Sequence, residues 1–98
     1  MTLFQADQTI VTGAELLTVF VTWERDNRTA LAAFPELRKH ADYIRASAKT
    51  WFKTAVALRA AYKADPTDAS RTALTTSLSV IHQALTESTA YLAKYGPH

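Results

Sequence analysis

The chain has 98 residues, 48% of them apolar and 20% charged, with a formal net charge of +2. That balance is too apolar for a disordered segment and suits one globular domain. The absence of cysteine excludes a disulfide scaffold, a thiolate metal centre and a cysteine nucleophile, while only 2 Gly and 3 Pro argue against a loop-rich β protein.

Residues 1–11 carry Leu3, Phe4, Ile10 and Val11 in no recognisable period. They are expected to form an N-terminal arm that packs across a bundle or onto a neighbouring subunit, ahead of a helical domain over 12–98. They hold no basic stretch and no long apolar core, so a secretory signal is not expected. The longest strongly apolar run, 16–23, falls well short of the roughly 20 residues a bilayer span needs. No membrane partner is expected, and the location expected is the cytoplasm or a viral particle.

The first helix is expected over 12–33. Thr12 and Glu15 have the spacing of a capping box, and Val11 and Leu16 occupy the two staple positions. Its apolar seam reads Leu16, Phe20, Trp23, Asn27, Ala30 and Phe34; Asn27 is a polar residue of the kind that can fix register or partner number, but a place near the helix end where it reaches water is the reading preferred. Pro35 disfavours helical geometry at Phe34 and fits the first position of a second helix over 35–64, where Glu36 suits the positive end of the dipole. That helix carries Leu37, Ala41, Ile44, Ala48, Trp51, Ala55, Leu58 and Tyr62 at alternating steps of four and three, a heptad seam.

Asp65 as cap, Pro66 at the first position and Asp68 in the first turn mark the start of a third helix over 66–95. Its seam is Leu74, Leu78, Ile81, Leu85, Ser88, Leu92 and Tyr95. Gly96 is placed to end it in left-handed geometry, Pro97 forbids continuation, and His98 belongs to a loose terminus. The fold class is therefore all-α, an antiparallel up-down three-helix bundle. The alternative joins the first two helices into one rod kinked at Pro35, about 78 Å long at about 1.5 Å per residue, in a dimer of helical hairpins. A proline inside a helix costs about 3 kcal/mol, which favours the bundle.

Charge concentrates on the second helix, where seven cations face only Glu36 and Asp42. Arg38, Arg45, Lys49, Lys53, Arg59 and Lys63 fall within a stripe about 120° wide that also contains Phe52 and Val56. These six are the candidate contacts for phosphates or an acidic partner. The third helix is the reverse: Thr72, Thr75, Thr76, Ser77, Ser79 and Thr86 give it a small, neutral outer face. The first helix is apolar nearly all round, as Leu16, Leu17, Val19, Phe20 and Val21 show, which suits a helix shared between subunits. Leu17, Val21, Thr75, Ser79, Phe52 and Val56 are the candidate partner or oligomer contacts.

Catalytic and metal chemistry find little support in the pattern. Glu36 and His40 are four apart, whereas a di-iron bundle needs Glu and His three apart, repeated on two helices. No nucleophile elbow or Gly-rich phosphate loop is present. Glu24 and Asp26 sit two apart on one helix and diverge. Trp23 and Trp51 are followed by Glu24-Arg25 and Phe52-Lys53, so the Trp-x-Gly turn of small secreted helical hairpins is missing. The expectation is a protein that is not an enzyme and takes no cofactor, metal or small-molecule substrate. It would act through helix-face protein–protein contacts as a homo-oligomer, a particle subunit or a small inhibitor. The alternative is sequence-independent nucleic-acid association through the basic stripe.

Overall fold

The computed structural model describes residues 2–96 as three α-helices, α1 (Leu3–Asp26), α2 (Pro35–Ala64) and α3 (Asp68–Tyr95), each packed against the other two. Asp7 of α1 binds Arg59 near the end of α2, and Glu24 binds Arg45 near its start, so these two helices are antiparallel. Glu36 meets Tyr95 and His40 meets Ser88, so α3 returns antiparallel to α2. The result is an up-down-up bundle of 49 × 24 × 16 Å. Pro97 and His98, to which a helix stop and a loose terminus were assigned above, lie outside the described residues.

Helix α1 begins nine residues before the expected start, at Leu3, so the expected arm is helical. The capping box that operates is Thr2 with Gln5: the Gln5 N–H donates to Thr2 Oγ1 at 3.1 Å and the Thr2 N–H donates to Gln5 Oε1 at 2.9 Å. Thr12 and Glu15 have the same spacing but lie within the helix. The longer helix brings Ala6 and Ile10 onto the core and carries Asp7 to Arg59. Its buried seam is Ala6, Gly13, Leu17, Phe20 and Glu24, one residue out of phase with the expected seam at its start, so Leu16 is 38% exposed and Leu17 only 2%.

Helix α1 also stops at Asp26, well short of residue 33. Asn27 is its C-cap rather than a seam residue: the backbone N–H and the side-chain Nδ2 both donate to Trp23 O, at 3.1 and 2.9 Å. A turn over 27–34, tied by Leu31 N to Asn27 O at 2.9 Å and Phe34 N to Leu31 O at 2.9 Å, reverses the chain. Pro35 then opens α2 with no side-chain cap. The next boundary falls two residues later than expected. Thr67, rather than Asp65, caps α3 by accepting from the Ser70 N–H at 3.1 Å, and Ser70 Oγ donates back to Asp65 O at 2.8 Å.

Both seams of α2 and α3 follow the heptad pattern of the sequence. Leu37, Ala41, Ile44 and Ala55 meet Leu74, Leu78, Ile81 and Leu85 in one core that Leu17 and Phe20 complete. Helices approach closely at Gly13, where a Cβ would lie 2.8 Å from Ile81 Cγ2 and 3.3 Å from Phe52 Cε1. A Gly13→Val variant is accordingly expected to lose about 1–3 kcal/mol of stability through overpacking, despite its lower backbone entropy, as read by urea unfolding. An unchanged midpoint would show that the helices separate there at no cost. Gly96 ends α3 with φ −73° and ψ 175°, an extended conformation and not the left-handed one expected. A side chain there would instead collide with the Leu92 carbonyl, whose oxygen accepts the Gly96 N–H at 2.8 Å.

Candidate functional site

The bundle presents two flanks of opposite character. Along the α1/α3 flank, Gln8, Thr9, Thr12 and Leu16 face Thr75, Ser79, His82, Thr86 and Thr89. Two open cavities of about 460 and 540 Å³ share Thr9, His82 and Thr86 and so form one continuous groove. No Asp, Glu, Lys or Arg lines it. Thr75 and Ser79, expected as partner contacts, are exposed on its wall. Elsewhere on α1 large apolar groups remain in water: Phe4, Val11 and Val19 are all more than half exposed. Phe4 and Val11, expected on an arm packed across the bundle or onto a neighbouring subunit, instead stand exposed on α1 itself.

The other expected contacts divide. Leu17 packs inside the core of its own chain and offers nothing to a partner, because the shift of the α1 seam turns it inward. Val21 and Phe52 are half-buried against that core and line a groove of about 200 Å³ between α1 and α2, floored by Leu17, Ile44 and Ala48. Val56 stays exposed.

The basic stripe also divides, with its arginines largely engaged within the bundle. Arg59 grips Asp7 with two parallel hydrogen bonds of 3.0 Å. Arg45 donates to Glu24 Oε1 at 2.9 Å, to Val21 O at 2.8 Å and to Asp42 Oδ1 at 3.0 Å. Arg38 lies 3.8 Å from Asp42. Lys49, Lys53 and Lys63 are exposed and form no ion pair among the described residues. Two cations expected to face a ligand are thus the clamps that hold α1 onto α2.

Two polar side chains weighed above only for acid–base or metal chemistry, Glu24 and His40, are buried. Glu24 is 1% exposed and also accepts from Arg28 Nε at 3.2 Å and Nη2 at 3.0 Å. Those hydrogen bonds, Arg28 first and then Arg45, hold its carboxyl below the usual glutamate range against the opposing effect of burial. Arg28 is correspondingly pushed up by Glu24. His40 is buried and turns away from Glu36. Its Nε2 lies 2.9 Å from Ser88 Oγ and its Nδ1 3.5 Å from Glu87 Oε2, while Glu36 accepts from the Tyr95 hydroxyl at 3.3 Å. Burial among Phe20 and Tyr91 pushes the imidazole below its ordinary value, although Glu87 and a backbone hydrogen bond to Ala84 pull the other way.

Ser88, His40 and Glu87 follow the connectivity of a nucleophile, base and orienting acid. Ser88, however, is 1% exposed in the middle of α3 and lines none of the grooves described, so its hydroxyl meets no solvent-borne substrate. The arrangement ties α2 to α3. Among the described residues no three His, Asp or Glu side chains converge as a metal site, and no helix is long and apolar enough to cross a membrane. No protein-family model matches the chain, and no curated protein or solved structure matches it.

Proposed function

We propose that this protein is a non-enzymatic helical assembly protein that acts through helix-face protein–protein contacts and meets a second copy of itself through the α1/α3 flank. The observation that carries this reading is the uncharged groove flanked by exposed Leu16 and Val19. In a two-fold interface the same patch meets itself, so a patch whose charges share one sign repels its copy. A surface of Thr, Ser, Gln and aliphatic side chains escapes that repulsion, and its small side chains let helices approach. The lysine-bearing flank of α2 would not pack against itself in this way. A subunit of a larger particle, a viral one included, and a small inhibitor that covers a partner's surface both work by such a face, in the cytoplasm or in the assembled particle.

Light scattering on the purified chain tests the reading. The wild type is expected to run as a dimer or larger species. Leu16→Glu combined with Ser79→Glu is expected to shift it to a monomer with unchanged helicity, a loss of roughly a hundredfold or more in association constant for opposed like charges at the seam. A monomeric wild type at high protein concentration would sink the proposal.

A further inference from the structure

The geometry points to a second docking surface, on the α1/α2 flank, that takes an acidic amphipathic helix from another protein. The Asp7–Arg59 and Glu24–Arg45 bridges fix the register of the two helices at either end. Between them the groove wall is mostly apolar: Ala14, Thr18 and Val21 on one side, with the Thr18 hydroxyl turned back to Ala14 O at 2.7 Å, Phe52 on the other, and Arg45 as the one charged lining residue. The same register sets Val11 of α1 opposite Val56 of α2, both more than half exposed. Lys49 and Lys53, one turn apart, stand along the outer rim of α2 beside Phe52 and Val56. An apolar trough between two helices with a row of cations on one rim matches a helix that lays its aliphatic side chains at positions i, i+4 and i+7 into the trough and a row of carboxylates along the lysines.

The same observations weigh against a nucleic-acid backbone. Arg45 and Arg59, whose planar guanidiniums would fork phosphate oxygens, are already bound to Glu24 and Asp7. What remains is lysine, a point charge, interleaved with Val56 and Phe52, and phosphates would leave those two uncovered. A second copy fits poorly as well, since the flank would meet its own lysines. This surface is separate from the α1/α3 groove, so the failure of either proposal leaves the other standing.

The test uses a fluorescein-labelled helical peptide of about five turns, with leucines on one face and glutamates beside them, titrated by anisotropy at low salt. The composition-matched scrambled peptide and a short DNA duplex serve as comparisons. Saturable binding of the ordered peptide is expected, weakened roughly tenfold by scrambling, by at least tenfold in Lys49→Glu/Lys53→Glu, and by about threefold in Val56→Ser. All three substitutions lie on exposed positions, and the circular dichroism of each variant is expected to match the wild type. Absence of saturable binding would overturn the proposal. So would equal binding of the scrambled peptide, which would reduce the surface to generic attraction of anions. Tighter binding of the duplex, lost in the charge-reversed variant, would replace it with the nucleic-acid reading.

Discussion

Glu24→Ala is expected to destabilise the bundle by about 2–4 kcal/mol, measured as a lower urea midpoint at neutral pH. Glu24 joins three parts of the chain: Arg28 at the start of the turn over 27–34, Arg45 on α2, and α1 itself. Alanine removes a side chain that is almost wholly out of solvent and leaves a hole beside Phe20. It also releases two guanidiniums, 41% and 32% exposed, which swing into water and so keep the loss at the lower end for a broken buried pair. A chain of this size has about 5–15 kcal/mol of total stability, so the fraction lost is large. Glu24→Gln keeps the shape and one acceptor oxygen and should lose less.

The same residue sets the acid response. Its carboxyl titrates lower in the folded chain than in the unfolded one, so near and below the usual glutamate range the unfolded chain binds the proton more readily. Its contribution is present in full above that range and is lost as pH falls through the folded value. In Glu24→Gln this part of the acid-induced loss should vanish. If Glu24→Ala unfolded at the wild-type midpoint, the two arginine contacts would be shown to contribute nothing.

How far residues alone could reveal this depends on what faces the core. Helices α2 and α3 follow heptad seams that are apolar except at Ser88 and are bounded by Pro35, Asp65-Pro66 and Gly96, so period and punctuation agree. Helix α1 buries Gly13 and Glu24, neither of which registers as apolar, while Leu16 and Val19 face water. The apolar spacing therefore points to a seam one residue off, and the Thr12–Glu15 spacing to a start that lies inside the helix. Glu24 becomes a core residue because Arg28 and Arg45 together neutralise it; Arg28 stands at the local i,i+4 spacing, but Arg45 is 21 positions away and no local pattern reports it. The basic stripe was visible as a stripe, but the internal use of Arg45 and Arg59 was not. One signal was available: Asp7 is the sole charge among the first dozen residues, and a lone acid beside a basic helix has an evident partner. Ser88 was another, since a serine on a heptad seam needs a hydrogen-bonding neighbour, and His40 supplies it.

Phe20→Ala is expected to cost the most, about 3–5 kcal/mol, as full truncation of a buried aromatic ring usually does. Phe20 is fully buried, with its ring centroid 5.2 Å from that of His40 in an edge-on arrangement, 5.8 Å from Trp23 and 6.2 Å from Tyr91. It is therefore also the wall that keeps water from the imidazole. In the wild type the burial of His40 lowers its pKa, opposed by Glu87 and Ala84, so over the window just below 6.5 the unfolded chain takes up a proton that the folded chain refuses. Stability falls as pH drops through that window and levels off below the folded value, a separate step from the one due to Glu24. Because alanine removes much of the core, Phe20→Leu is the variant that reads the linkage in a folded chain. A thinner wall should raise the His40 pKa toward its ordinary value, seen in the imidazole carbon-bound proton shifts, and shrink the stability loss in that window. Glu87→Gln should act in the opposite sense, lowering the imidazole pKa further by removing the one carboxylate 3.5 Å from Nδ1. Opposite movement of a single resonance in two variants follows from a buried neutral imidazole held between a hydrophobic wall and an acid. An imidazole already open to water would move with neither the wall nor the acid beyond ordinary surface screening.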